Sequence, residues 1–212
     1  MRTGAAEAFE RCIADGGVVL FGADTVYGLA CDPRSTAAVA RLYELKGRPA
    51  DKPAAVMFFA MAPALAALSQ LGSRTRAAVE ALLPGALTLL LRNPDRLFSL
   101  ACGPHSTTLG LRVPVLPALA GVRVPVLQSS ANPSGGSDPR ALADVDARMR
   151  DGADLVLDGG TLPGTPSTVV DLRSYEADGA WSVLREGAVP GDELARLLVT
   201  GQHPLQPQDC VP

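Results

Sequence analysis

Apolar positions in the 212-residue chain recur with two periods, one helical and one strand-like, separated by glycine and proline. Residues 4–15 carry the helical pattern, stopped by Gly16-Gly17. The stretch "VVLFGADTVYGLACD" opens as an apolar β-rich run and predicts one buried strand ending near Gly22. Residues 35–45 predict a helix with Ser35 as N-cap, and Arg48-Pro49 then opens a basic loop. "AAVMFF" predicts a second strand, residues 61–71 and 73–83 two helices with Ser73 capping the second, and "ALTLLLR" a third strand. "TTLGLRVP" predicts a fourth strand, residues 115–121 a short helix, and "VPVLQSSAN" a fifth strand running into a polar loop. A helix over 139–150 follows. Strands are then predicted in "DLVLDGG", "STVVDLR" and "AWSVLREGAV", with a closing helix at 190–199. Helices and strands intermix without strict alternation, which predicts an α/β domain on a mixed parallel and antiparallel sheet.

Composition sharpens this picture. Hydrophobic residues make up 47% and aromatics only 4%, so Ala, Val and Leu must fill a sizeable core. The net charge of −3 argues against a general nucleic-acid scaffold. The four cysteines, Cys12, Cys31, Cys102 and Cys210, are scattered, and His105 and His203 lie far apart, so reduced thiols and no structural zinc are expected. The N-terminus carries Glu7, Glu10 and Asp15 and reads as an amphipathic helix, not a signal peptide. Apolar runs are broken by Pro and Arg short of a membrane span, and a cytoplasmic protein is expected.

The candidate chemistry lies where strands end. Asp24, Thr25 and Tyr27 follow the first strand, and Lys46, Arg48 and Lys52 follow the next helix. Thr108 and Arg112 bracket the fourth strand. Ser129, Ser130, Asn132 and Ser134-Gly135-Gly136 follow the fifth, and Ser167 and Arg185 mark the last two. Lys46 and Lys52 are the chain's only lysines; the other 17 of its 19 basic residues are arginine. In a chain so biased, two lysines in one basic loop point to anion ligands whose compact, mobile charge arginine does not reproduce. Convergent cations, hydroxyls and glycine turns suit a polyphosphate with a small carboxylate beside it. Tyr27 reads as a packed aromatic, and "DGG" at 158–160 and "LPGTP" at 162–166 as ordinary turns. Patterns for a P-loop, a dinucleotide fold and a nucleophile elbow are all absent.

"ADTVYGLACD", "KGRPADKP", "LPGALTLLL", "TLGLRVP", "SSANPSGG", "STVVDL" and "LREGAV" stand in the order found in the YrdC-like threonylcarbamoyl-AMP synthases, which the chain resembles from about residue 16 to 190. The resemblance implies a twisted mixed sheet flanked by helices, with a concave basic groove. It implies synthesis of L-threonylcarbamoyladenylate and pyrophosphate from L-threonine, bicarbonate and ATP, with Mg²⁺ arriving on ATP. The product would pass to a separate tRNA threonylcarbamoyl transferase modifying adenosine 37, and the basic groove would allow weak tRNA or double-stranded RNA binding. Residue by residue, it implies a catalytic groove of Lys46, Arg48, Ser130 and Asn132. ATP contacts fall on Arg48, Lys52, Thr108, Asn132, Arg140 and Arg185, and threonine contacts on Thr25, Met57, Arg112, Ser130 and Ser167. No resident metal is implied. The short, single-domain form of the family is expected, with residues 1–200 as the catalytic domain and 201–212 as a flexible tail.

One departure stands out: Gly22-Ala23 precedes Asp24 where the family often has Pro-Thr. Two other readings stay open. One is a YrdC-type carbamoyltransferase forming carbamoyl-adenylate from carbamoyl phosphate. The other is a non-catalytic RNA-binding or regulatory paralogue.

Overall fold

The computed structural model describes residues 4–49, 51–103, 107–133 and 135–201. The expected tail from 202 onward, with His203 and Cys210, and likewise His105 and Ser134, lie outside the described residues.

Among the described residues nine strands form one sheet: β1 (Val19–Gly22), β2 (Tyr27–Cys31), β3 (Ala55–Met57), β4 (Leu87–Arg92), β5 (Thr108–Arg112), β6 (Val126–Ser130), β7 (Leu155–Leu157), β8 (Thr168–Asp171) and β9 (Ser182–Arg185). Their order is β7-β1-β2-β6-β3-β5-β4-β8-β9. The pairs β1/β7, β3/β5 and β4/β8 are parallel and the other five antiparallel, as a mixed sheet requires.

The two faces of the sheet have different cover. One face presents Leu20, Leu29, Val56, Leu89, Leu111, Leu127 and Val170 to the main core. Helices α2 (Thr36–Lys46), α4 (Ser73–Leu82) and α8 (Gly191–Thr200) contribute Leu42, Val79 and Leu194 to it. The period of two places the alternate residues on the opposite face. There α1 (Gly4–Ala14) covers only part of the sheet: Phe9 meets the rings of Phe21 and Phe59 edge-to-face at 5.4 and 5.3 Å, over Val19, Ala30, Met57 and Val126. Beyond that helix the same face carries Thr88, Thr108, Gly110, Arg112, Gln128 and Ser130, and it lines cavities instead of a core.

Helix α2 follows its sequence signals. Ser35 Oγ accepts from Ala38 N, and Gly47 closes the helix in the left-handed region at φ 57°. Several elements differ from expectation. "VVLFGADTVYGLACD" is a hairpin, β1 and β2, so Asp24 and Thr25 lie in a turn between two strands. The helix expected over 139–150 is a 3₁₀ turn at Leu142–Asp144 followed by α6 (Ala147–Gly152). Asp144 Oδ2 accepts from Ala141 N and Asp146 caps Arg148 N, so each acid starts its own turn. The helix α3 (Met61–Ala67) ends four residues early, and the segment expected at 115–121 is a 3₁₀ turn at Pro117–Leu119. Ser73 is the first residue of α4, not its cap. Glu176, from the unpredicted α7 (Tyr175–Asp178), supplies that function by accepting from Thr75 N at 2.8 Å. A further short helix, α5 (Ser99–Cys102), was also not expected.

Gly22 has a packing reason. A Cβ there would lie 2.9 Å from the Gly159 Cα, and a Cβ on Gly159 would lie 3.0 Å from the Gly22 Cα. The two backbones cross with no room for a side chain, which accounts physically for glycine at both positions. Gly22→Ala forces backbone to move and is expected to destabilise the fold by about 1–3 kcal/mol, read as a lowered denaturation midpoint. An unchanged midpoint would show that the crossing relaxes freely.

Candidate active site

Three arginines converge on the uncovered face around a cavity of about 180 Å³: Arg48, Arg112 and Arg185. Arg112 ends β5 and is buried. Its Nη2 donates to Asp24 Oδ1 at 2.6 Å and its Nη1 to Gln128 Oε1 at 2.9 Å. Gln128 reaches it because β2 offers a glycine alongside: a Cβ on Gly28 would lie 2.5 Å from Gln128 Nε2. Asp24 Oδ2, Arg112 Nε and the Thr25 hydroxyl are buried without a hydrogen-bond partner among the described residues. Burial lifts the Asp24 carboxyl above its ordinary range, against the opposing pull of Arg112.

Arg185, on edge strand β9, donates through Nη2 to Ser167 O at 2.7 Å and to Ser167 Oγ at 3.2 Å. The Ser167 hydroxyl also lies 2.9 Å from Thr88 Oγ1. Arg48 leaves α2 past the Gly47 turn and stands 5.7 Å from the Tyr43 ring centre. It donates to Ser129 Oγ at 3.2 Å and to the Pro53 carbonyl. Burial lowers its proton affinity.

Lys46 turns the other way. Only 3% exposed, its ammonium donates to the Ser130 carbonyl, to Asn132 O at 2.8 Å and to Asn132 Oδ1 at 3.3 Å. Asn132 Oδ1 also accepts from Ser130 Oγ at 2.6 Å, and Asn132 Nδ2 donates to Gly136 O at 2.6 Å. The lysine therefore holds the strand-end turn instead of lining the cavity. Burial, and then the positive charge of Arg48, push its pKa down to about 8, against Asp138.

Of the residues singled out in the sequence, the structure brings Thr25, Arg48, Arg112, Ser129, Ser130, Ser167 and Arg185 to one cavity. Thr108 lines an adjoining, more apolar cavity of about 380 Å³ that shares Pro53, Ala54, Ala55 and Thr88 with the first. Lys46 and Asn132 stand behind the rim. Met57 does not reach the cavity: it is fully buried in the core under α1, paired in register with Arg112. Lys52 is exposed and contributes its carbonyl to the Tyr43 hydroxyl at 3.0 Å. Arg140 is exposed as well, with Nε 3.3 Å from Leu162 O. Neither lines the cavity.

Tyr27 is packed as expected, and its hydroxyl lies 2.5 Å from Asp158 Oδ1 and 2.9 Å from Gly160 O and from Gly159 N. The "DGG" turn thus latches the hairpin, and Gly164 N, donating to Thr25 O at 2.9 Å, ties down the next stretch. Sequence reasoning passed over Gln128, Thr88 and Asp138, all of which line the cavity. A signal for Gln128 existed: it is the strand's one amide, two positions before Ser130 and so on the same face.

Among the described residues the protein is thus an α/β domain on a nine-stranded mixed sheet, with arginines and hydroxyls gathered on the face that α1 covers only in part. The profile of the Sua5/YciO/YrdC family, described as "Telomere recombination", matches residues 11–187, and the chain belongs to that family. It is 35% identical over 201 residues to the threonylcarbamoyl-AMP synthase of Bacillus subtilis, covering 85% of this chain and 53% of that protein. With the Pseudomonas paraeruginosa threonylcarbamoyl-AMP synthase it shares 33% identity over 172 residues, covering 79% of this chain and 92% of that one. The crystal structure of P. abyssi Sua5 complexed with L-threonine superposes with a TM-score of 0.79 at 28% identity, over 91% of this chain and 56% of that one. The chain thus spans about half of the longer relatives and nearly all of the shorter.

Proposed function

We propose that the chain is an L-threonylcarbamoyladenylate synthase, joining L-threonine, bicarbonate and ATP with release of pyrophosphate. The observation that carries the reading is the set of three arginines and the hydroxyls of Thr25, Ser129, Ser130 and Ser167 around one small cavity, continuous with an apolar one. The relatives named as synthases and the threonine-bound neighbour support it.

The threonine amine attacks bicarbonate to give a carbamate. A carbamate oxygen then attacks the α-phosphorus of ATP, and pyrophosphate leaves. Neither step needs a covalent enzyme intermediate, so positioning and charge neutralisation dominate. Arg112 takes the threonine carboxylate, in competition with Asp24 for the same guanidinium. The orphan Thr25 hydroxyl and Ser130 face the amino acid, with Met57 packed beneath. Arg48 and Arg185 offset charge on the phosphates, and the apolar cavity beside Thr108 receives the nucleoside. Lys46 and Asn132 fix the 130–136 turn, while Lys52 and Arg140 supply charge from the rim. Mg²⁺ travels with ATP; among the described residues no group of three or more His, Cys, Asp or Glu side chains is placed to hold a metal. Among those residues no helix is long and apolar enough to cross a membrane, and a cytoplasmic enzyme passing its product to a separate tRNA-modifying transferase fits the reading.

The test is pyrophosphate release from ATP by the purified protein. Release dependent on both threonine and bicarbonate is expected. Release driven by carbamoyl phosphate alone would move the protein to the carbamoyltransferase branch, and none with any substrate would favour a binding role.

A further inference from the structure

The cavity holds one carboxylate that the reaction scheme has not used. Asp138 lines it together with Arg48, Arg112, Arg185 and Thr25. Its place in the chain is fixed on both sides. Gly136 O accepts from Asn132 Nδ2 and Gly136 N donates to Pro133 O, and the next residue along, Pro139, accepts from Tyr27 N at 3.0 Å. The second tie sets Asp138 against the β1–β2 turn, beside Thr25 and Val26, on the amino-acid side of the cavity.

The other charged groups around it are committed or cannot take a proton. Arg48 on the segment after α2, Arg112 on β5 and Arg185 on β9 are guanidinium donors. Lys46 on α2 donates to the carbonyls and amide oxygen of the 130–132 turn. Behind Arg112, Asp24 has Oδ1 on that arginine and Oδ2 fully buried. Asp138 is half-buried and reached by solvent. A carboxylate in a cavity meant only for phosphate and carboxylate would be repulsive. Asp138 already favours the charged form of Lys46, and at the cavity wall it also suits a cationic part of a substrate.

We infer that Asp138 binds the ammonium group of the amino-acid substrate and accepts its proton as the amine attacks bicarbonate. This rests on the reading proposed above. The bookkeeping closes: ammonium, bicarbonate and the Asp138 carboxylate become carbamate, water and the Asp138 acid. One ammonium proton goes to Asp138. The second, lost as the N–C bond forms, leaves with the bicarbonate hydroxyl as water. Asp138 then returns its proton to solvent.

The experiment compares the full chain with Asp138→Asn and Asp138→Glu by threonine-dependent pyrophosphate release across pH, with folding checked by circular dichroism. Asp138→Asn is expected to lower threonine-dependent kcat/KM about 100-fold at neutral pH, with the KM for ATP unchanged. The wild-type-to-variant ratio should shrink as pH rises and free threonine loses its own proton. Dividing the two profiles cancels any alkaline limb they share. Asp138→Glu should recover part of the rate. A ratio independent of pH, or activity of Asp138→Asn within twofold of wild type, overturns the inference. So does a raised Mg²⁺ requirement at fixed ATP, which would make Asp138 a ligand of the nucleotide's metal. Wild-type protein with no threonine-dependent release overturns the parent reading and the inference with it, an outcome distinct from the others.

Discussion

Asp24→Ala is expected to cost about 3–5 kcal/mol of stability, because it leaves the buried Arg112 charge without its anion. The pair is closed: side-chain exposures are 5% and 10%, and the remaining contact on Arg112 is the neutral Gln128 amide. At this chain length the loss corresponds to a fall in Tm of roughly 10 °C. The variant also gives a functional readout. If the threonine carboxylate binds Arg112, added threonine should raise the Tm of Asp24→Ala more than that of wild type, because it fills the vacated position and meets no competing carboxylate. Equal shifts in the two proteins would place the carboxylate elsewhere. A Tm within 2 °C of wild type would mean that Arg112 finds water on losing Asp24.

This pair also marks where the sequence stops being informative. Arg112 was legible as a strand-end cation, and Asp24 as an acid just past the first strand. That they meet depends on β2 being a strand. "YGLAC" hides this, with one glycine in second place and no β-branched residue. Gly28 is there because Gln128 lies over it, a requirement set by the partner strand and invisible locally. Elements with strong local signals came through: α2 has its serine cap and the Arg48-Pro49 break beyond it, and "LTLLLR" is a continuous apolar run. The segment 139–150 failed the other way, since its helical periodicity masked two capping aspartates. In the site, residue type and strand-end position identified the cations but not their direction. Lys46 and Arg48 are two positions apart, yet the left-handed Gly47 between them sends one into the 130–132 turn and the other to the cavity.

Lys46→Met carries the second large effect. It removes the donor from the Ser130 and Asn132 carbonyls, and the displaced turn should lower kcat/KM about 100-fold. Lys46→Arg should fail nearly as badly, because a planar fork does not fit three oxygens converging on one point. Full activity in Lys46→Arg would show that the turn does not depend on that geometry. The pH dependence has a definite sign. The folded pKa of about 8 lies below the ordinary lysine value of 10.5, so between them the unfolded chain binds more protons. Stability relative to Lys46→Met should therefore be lowest and flat below pH 8. It should rise by something on the order of 3 kcal/mol toward pH 10.5. Activity should fall over the same range, as the neutral amine loosens its hold on the turn. Stability and activity moving in parallel above pH 8 would contradict the assignment.

The strand order has a consequence for how the protein is made. Val19 pairs with Leu155, β2 with β6, and the last strand carries Arg185 to a cavity whose opposite wall is Thr25. Closing such long loops precedes the contacts that reward it, which makes folding slow and late. A nascent chain that has emerged only as far as Arg112 carries cations without a cavity to hold them. The cavity is thus complete only once the strand that carries Arg185 has been made, and a fragment ending at Arg112 lacks part of its wall.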